Sequence, residues 1–317
     1  MSISIPRSGN VTVRAAQRPV PLTNLGKPFW PALNIVKGDL LQYYTDVAAM
    51  LLPHIKDRAM VMKRYPHGAA GEFFFMKRTP SPHPEWLQTC RIEHGSGNVI
   101  DFPMINDVAA LLWVVNLGCI DLNQWYARCD DIDRPDYLHF DLDPGNAPFS
   151  AVREVALIVR DGLQALEIPA HAKTSGSKGI HVYVPIVRGP LQKHVWTFAK
   201  AFAQTVARNY PELATAEYKK EKRPAGRVLV DYNQNRWGST LASVYSVRPT
   251  ASASVSAPVR WEEVETGCEI DDFRIDNMRE RIASVGDMWA VMAAKTGRFN
   301  LAPLLGEEAP KRRSRRA

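Results

Sequence analysis

Residues 137–146, YLHFDLDPGN, restrict the folds open to this chain more than any other stretch. Two aspartates stand one residue apart in an otherwise apolar run, which Pro144-Gly145 then stops. Read as a strand, the run sends alternate side chains to opposite faces. Asp141 and Asp143 then point one way, Phe140 and Leu142 the other. Two carboxylates a few ångströms apart repel unless a cation or a shared proton lies between them. Either such a site exists, or Asp143 caps the turn and Asp141 pairs with a basic residue. This stretch alone leaves both open.

The rest of the chain reads as a mixture of strands and helices. Residues 1–20 are polar and irregular, and are expected to be a flexible lead-in. An amphipathic helix is expected over 39–52, stopped by Pro53. Strands are expected in RAMVMKRYPHG and EFFFMKR, and a hairpin around Gly95-Ser96-Gly97. A buried helix should start at Asn106 or Asp107 and end at Gly118. The aspartate strand should lead into a helix near 150–167, and strands should enter and leave the segment HAKTSGSKGIHVYVPI. A helix over about 192–209, strands in GRVLVDYNQN and LASVYSVRP, and helical structure broken at Gly286 complete the pattern. The expectation is an α+β fold: one domain over 21–305, a β-rich core flanked by helices, and a disordered basic tail at 306–317.

With 317 residues, 45% of them hydrophobic, there is ample material for a core. The net charge is +7, but the tail EEAPKRRSRRA accounts for part of it. The body is modestly basic, which suits a polyanionic partner without requiring one. Cys90, Cys119, Cys129 and Cys268 form no CxxC pair, so reduced thiols are expected. No signal pattern opens the chain and no apolar run reaches membrane-spanning length, so the expected location is cytoplasmic and nucleoid-associated, with no membrane partner.

Two further segments carry chemistry. In KTSGSKGIHVYVP a short Ser/Gly/Lys turn offers backbone N–H groups, hydroxyls and one ammonium, a combination suited to a triphosphate. It is not a GxxxxGK[ST] loop, and alone it could be a solvated hairpin turn. In GRVLVDYNQN, Asp231 ends an apolar run. Alone it could be a strand-end cap. With Asp141 and Asp143 it could hold two divalent cations, Mn²⁺ or Mg²⁺, for phosphoryl or nucleotidyl transfer.

Together FDLDPG, TSGSKGIHVYVP, VDYNQN and YSVRP, in this order and spacing, resemble the polymerase domain of bacterial ligase D. That domain belongs to the archaeo-eukaryotic primase superfamily and works in non-homologous end joining. The resemblance covers residues 22–263. It implies a primase-polymerase fold, and it implies that Asp141, Asp143 and Asp231 are the catalytic, metal-binding triad. It implies that Ser175, Lys178, Gly179 and His181 face the triphosphate, with Arg248, Arg223, Lys63 and Arg64 near the nucleotide. Asn24, Lys27 and Lys37 match the residues that grip the 5′-phosphate of a DNA break, and Phe74 and Phe75 match aromatics beside the template. The implied partners are 5′-phosphorylated DNA ends, nucleoside triphosphates, Ku and an ATP-dependent DNA ligase.

The chain departs from the family pattern at three places. Asn123 stands where the family usually has a sugar-sensing histidine, Ser239 replaces a common lysine with Arg236 nearby, and His139 replaces an apolar residue. No KxDG ligase motif is found, and Met1 with the basic tail suggests a stand-alone protein. The leading expectation is a template-directed nucleotidyltransferase that fills gaps at double-strand breaks. Two alternatives remain: a metal-dependent nuclease or phosphatase using His139, Asp141 and Asp143, or a non-catalytic DNA-end-binding factor.

Overall fold

The computed structural model describes residues 3–306. All of the expected basic tail except Gly306 lies outside the described residues. The fold is α+β, as expected, and two sheets frame the site.

The chain begins with a hairpin of β1 (Val11–Ala15) and β2 (Arg18–Leu22). Over the described residues 3–20 this corrects the expectation of a flexible lead-in. Val13, Ala15, Val20 and Leu22 are buried on one face, as is Ile5 upstream. Pro19 and Pro21 concealed the strand pattern because they cannot donate to a ladder. They alternate with the buried residues on an edge strand, where proline is tolerated. Next, β3 (Pro28–Trp30) and β4 (Ile35–Val36) pair and lead into α1 (Lys37–Ile55). The expected stop before Pro53 is also corrected, since α1 runs two residues past it. A proline in the last turn removes one ladder bond only, and Arg58 Nε donates to the His54 carbonyl at 3.0 Å.

β5 (Met60–Arg64) and β6 (Phe74–Met76) follow, then the hairpin β7 (Thr89–Glu93) and β8 (Val99–Pro103). Cys90 in β7 is disulfide-bonded to Cys129, correcting the expectation of reduced thiols for this pair. Partners 39 residues apart leave no spacing signal in a sequence. Cys119 and Cys268 are free. Of the two candidate caps for α2 (Val108–Asn116), Asp107 serves, accepting from the Ala110 amide at 3.0 Å. β9 (Cys119–Trp125) follows directly.

The second half supplies β10 (Tyr137–Asp143), α3 (Phe149–Gln164), β11 (His171–Thr174), β12 (Ile180–Pro185) and α4 (Gln192–Asn209). Then come β13 (Ala214–Thr215), β14 (Val228–Asp231), β15 (Thr240–Ala242) and β16 (Pro258–Val259). Only the first part of the expected strand at LASVYSVRP forms, as the end of β15. α5 (Trp261–Thr266), α6 (Met278–Val285) and α7 (Ala290–Ala293) close the fold, with Gly286 capping α6 where a break was expected.

The larger sheet has the order β13-β14-β10-β12-β11-β16, and the smaller β15-β9-β5-β6. In the centre of the larger sheet, Leu138, Phe140 and Leu142 are fully buried on the face covered by α3 and α4. The Phe140 and Phe202 rings lie 5.0 Å apart. Burial of each such side chain contributes roughly 1.5–3 kcal/mol. The opposite face of β10 carries Asp141 and Asp143, and there the smaller sheet approaches.

Candidate active site

Register places the polar residues of the larger sheet in a row. Asp141 lies opposite Asp231 of β14 on one side and His181 of β12 on the other. His181 in turn lies opposite Lys173 of β11. The row across four strands reads Asp231, Asp141, His181, Lys173. His181 Nε2 is 3.3 Å from Asp141 Oδ1. Burial opposes ionisation of Asp141, but His181, followed by His139 and Lys173, outweighs it and holds the carboxyl below the usual range. Asp231 moves the other way, raised by burial and then by the charge of Asp141. Like charges directly across a strand pair destabilise a sheet unless a cation joins them.

Asp143 caps the turn, as one of the two alternatives had it, and the basic neighbour of Asp141 is His181. Asp143 Oδ1 accepts from the Gly145 amide at 3.1 Å, and its Oδ2 lies 3.7 Å from Arg223 Nη1. The turn after β14 fixes the third aspartate: the Asn233 amide donates to Asp231 Oδ1 at 2.7 Å and Gln234 Nε2 to Oδ2 at 3.1 Å. Asn235 then clasps the backbone of His139 in both directions, at 2.6 and 3.0 Å. His139 itself is buried and does not line the cleft. Its ring stacks on Tyr183 at 5.1 Å, and burial and then His181 push its pKa down to about 3. Among the described residues, no three His, Cys, Asp or Glu side chains form a preassembled metal cage.

A cleft of about 250 Å³ opens over Asp141 and His181 of the row, while Asp231 and Lys173 flank them and do not line it. It is lined by Asp141, Asp143, Ser175, Lys178, His181, Asn123 and Arg248, among others. The loop after β11 is built differently from expectation. The amides of Ser177, Lys178 and Gly179 do not face outward; all three donate to Ser175 Oγ, at 3.1, 3.1 and 2.9 Å. The loop is therefore braced from within, and the hydroxyl hydrogen of Ser175 and the exposed Lys178 ammonium are the groups left for an anion. Gly179 is required sterically, because a Cβ there would sit 2.1 Å from the Leu142 carbonyl oxygen.

The smaller sheet brings in the remaining cations. Asp121 on β9 is almost fully buried, 3.0 Å from Arg248 Nε and 3.7 Å from Lys63 Nζ. One carboxylate thus braces two of the expected nucleotide-binding residues, and Arg248 Nη1 also donates to the Ser175 carbonyl at 2.6 Å. Neither Asp121 nor Lys173 was singled out in the sequence. Asn123 lines the cleft, and its Nδ2 donates to the Asp121 carbonyl at 3.2 Å. Ser239 and Arg236 do not line the cleft.

The alternation of β5 separates Lys63 from Arg64. The Lys63 ammonium lies 4.1 Å from the centroid of the Phe73 ring, and Arg64 stacks over Phe74 at 5.2 Å. Phe73, Phe74 and Phe75 are all exposed. Arg64 belongs electrically with the amino-terminal cluster. Burial first, then Lys27 and Arg64, lower the pKa of Lys37 to about 8. Asn24, Lys27 and Lys37 are brought together by the backbone: the Lys27 amide donates to the Asn24 carbonyl and the Lys37 amide to that of Lys27. Lys37 Nζ donates to the Thr23 carbonyl at 2.7 Å.

Paired carboxylates and a braced Ser/Lys loop on the open face of a helix-backed sheet define a primase-polymerase catalytic fold. The comparisons agree. The family described as "LigD, primase-polymerase domain" matches residues 36–289, and the chain belongs to this family. It is 34% identical over 278 residues to the multifunctional non-homologous end joining protein LigD of Mycolicibacterium smegmatis, covering 87% of this chain and 36% of that protein. It is 30% identical over 266 residues to the bifunctional LigD of Bacillus subtilis, covering 83% and 42%. The chain therefore spans well under half the length of these relatives. Its fold matches the polymerase domain of Mycobacterium tuberculosis ligase D, solved in complex with DNA, with a TM-score of 0.81 at 31% identity. That match covers 87% of this chain and 98% of the other.

Proposed function

We propose that this chain is a template-directed nucleotidyltransferase that fills gaps at DNA double-strand breaks during end joining, adding ribo- or deoxynucleotides. The observation that carries the reading is Asp141, paired across the sheet with Asp231 and His181, at the base of a cleft edged by the Ser175–Lys178 loop. The three aspartates supply hard oxygen donors, and the mutual repulsion of Asp141 and Asp231 is what a bound cation would relieve. Asp141, Asp143 and Asp231 would hold divalent ions, Mg²⁺ or Mn²⁺, which when bound activate the primer hydroxyl and neutralise the leaving pyrophosphate.

The chain's own residues do the positioning. Lys178, Ser175 and Arg248 bind the triphosphate, and Lys63 adds charge from the facing sheet. Arg223 orients Asp143. Asn123 meets the sugar, Phe74 and Phe75 stack on template bases, and Asn24, Lys27 and Lys37 hold the 5′-phosphate. The nuclease reading needs His139 at the cleft, and its burial in an aromatic nest opposes this. A non-catalytic end-binder would gain nothing from carboxylates facing phosphates. Ku and an ATP-dependent ligase are proposed partners. Residues 21–305 are the proposed catalytic domain, now with the packed β1–β2 hairpin ahead of it. No helix among the described residues is long and apolar enough to cross a membrane; a cytoplasmic, nucleoid-associated location is proposed.

The test is primer extension on gapped DNA, with and without a 5′-phosphate, under Mg²⁺ and Mn²⁺. Asp141→Ala should abolish nucleotide addition and leave DNA binding within a few-fold of wild type. Normal extension by that variant would remove the assignment.

A further inference from the structure

Lys173 is the one residue of the four-strand row that no part of the proposed chemistry uses. It is 1% exposed, and a buried ammonium is costly unless each of its protons finds an acceptor. A methionine in its place would fill the space at no such cost. Its Nζ lies 2.8 Å from His181 Nδ1, 3.0 Å from the Ala242 carbonyl and 2.6 Å from Ser256 Oγ. No carboxylate pairs with it among the described residues. Ser256 Oγ donates its own hydrogen to the Thr174 carbonyl at 2.8 Å, so toward Lys173 it can only accept. The Ala242 carbonyl also only accepts. Two of the three partners therefore require N–H donors from Lys173, and the third is a ring nitrogen whose role depends on the tautomer.

The other side of the imidazole decides that role. His181 Nε2 faces Asp141 Oδ1 at 3.3 Å, and an ionised carboxylate accepts only. Nε2 must carry the hydrogen if the two are not to repel. A neutral ring with Nε2–H has a bare Nδ1, which is the acceptor the third ammonium proton needs. Burial lowers the pKa of Lys173, but it also lowers that of His181, to about 4, so the proton between Nζ and Nδ1 stays on the ordinarily more basic amine, and this assignment satisfies every member of the chain from Ser256 through Lys173 and His181 to Asp141.

We infer that Lys173 is a positioning residue: its ammonium donates to Nδ1 of His181 and so fixes the tautomer that presents Nε2–H to Asp141. The contact also ties the two sheets together, because Ala242 belongs to β15 of the smaller sheet. With Nδ1 occupied and the Nε2 hydrogen directed at Asp141, both ring nitrogens of His181 are engaged. The ring has no free nitrogen with which to take a proton from the primer hydroxyl, so it is not the general base.

The tautomer is read directly by nitrogen-edited NMR of the full chain with ring-labelled histidine, in the absence of DNA, nucleotide and metal. The His181 ring is assigned by its loss in His181→Gln. The expected spectrum shows Nε2 protonated and Nδ1 bare, shifted as a hydrogen-bond acceptor. A protonated Nδ1 in the wild type overturns the inference, whatever the fate of any variant. In Lys173→Met the two ring signals should move toward the averaged values of exchanging tautomers. The kinetic arm rests on the polymerase reading: kcat for nucleotide addition should fall about tenfold or more, while the Kd for gapped DNA stays within about twofold. A folded Lys173→Met protein with the wild-type ring signals or the wild-type kcat also overturns it. Failure of the polymerase reading itself would leave no extension by the wild type and would not alter the NMR result.

Discussion

At the scale of single residues, the site is a set of side chains held by other side chains. Asp121 shows this for the cations Lys63 and Arg248, and Asn123 for the proposed contact to the sugar. One hydrogen of the Asn123 amide nitrogen is taken by the Asp121 carbonyl, which leaves its second hydrogen and its acceptor oxygen for a ligand in the cleft that Asn123 lines. An acceptor can take the hydrogen of a ribose 2′-hydroxyl, and a site that makes that bond disfavours the sugar lacking it. Asparagine is shorter than the histidine that the family resemblance implies at this position, so the proposed contact should be longer or bridged by water. A neutral hydrogen bond contributes on the order of 0.5–1.5 kcal/mol net. The expected result is a ribonucleotide preference that persists but is weaker than usual for the family, and that Asn123→His strengthens by several-fold. The ratio of ribo- to deoxynucleotide incorporation on one gapped substrate measures it, and an unchanged ratio would place Asn123 outside the sugar pocket. The aspartates were legible in the sequence because charge in an apolar strand is conspicuous. Lys173 and Asp121 were not, because what makes each one matter is a partner on another strand.

At the scale of elements, legibility followed the physics of burial. β7 buries one face and alternates, and β10 carries apolar residues at every second position from Leu138 to Leu142, so the pattern announces both. β9 runs CIDLNQW with only Asn123 less than buried, and a run without alternation carries no such period. The β1–β2 hairpin alternates, but its prolines mimic a linker. The Cys90–Cys129 link joins elements that only the tertiary fold brings together. The strap from Asn24 to Lys37 was visible as basic residues, but its electrical property was not. Lys37 has a pKa of about 8 because burial and the neighbouring Lys27 and Arg64 disfavour its charge. A lysine lowered in this way is charged below about pH 8 and neutral above it. A 5′-phosphate is already largely dianionic at neutral pH. Discrimination in favour of phosphorylated ends should therefore be full near pH 7 and decline as pH rises through about 8. Bound phosphate will pull the midpoint upward. The ratio of Kd values for phosphorylated and unphosphorylated gaps, taken from pH 6.5 to 9.5, follows the titration on the order of that one charge. Lys37→Ala should lower the ratio and flatten its pH dependence; a wild-type ratio constant across this range would assign the discrimination to other groups.

At the scale of the molecule, the two sheets meet at one site, and the amino-terminal hairpin helps hold the part that would receive the DNA end. Arg7 pairs with Asp39 at 2.9 Å at the start of α1, and the Leu25 amide donates to the Gly9 carbonyl. Gly38 packs so closely on Pro6 that a Cβ there would sit 2.4 Å from its carbonyl oxygen. These contacts fix the same strap that carries Asn24, Lys27 and Lys37. A flexible lead-in could be removed without consequence; a packed hairpin cannot. Deleting residues 1–20 strips away the buried side chains of Ile5, Val13, Ala15 and Val20 and uncovers Leu22 and Leu25 beneath them. At roughly 1.5–3 kcal/mol for each fully buried large aliphatic side chain, the loss is several kcal/mol, a large fraction of the ~5–15 kcal/mol that holds an ordinary domain together. The shortened chain should melt far below the full one, or be recovered aggregated. Where it remains folded at low temperature, the preference for 5′-phosphorylated gaps should fall before nucleotide addition does, because Lys27 and Lys37 lose their support while the carboxylate row, built on the larger sheet, keeps its own. Thermal melts of both chains, with gap affinity and extension measured on the same samples, separate the two effects. An unchanged melting temperature would mean that the hairpin's burial contributes nothing to the fold.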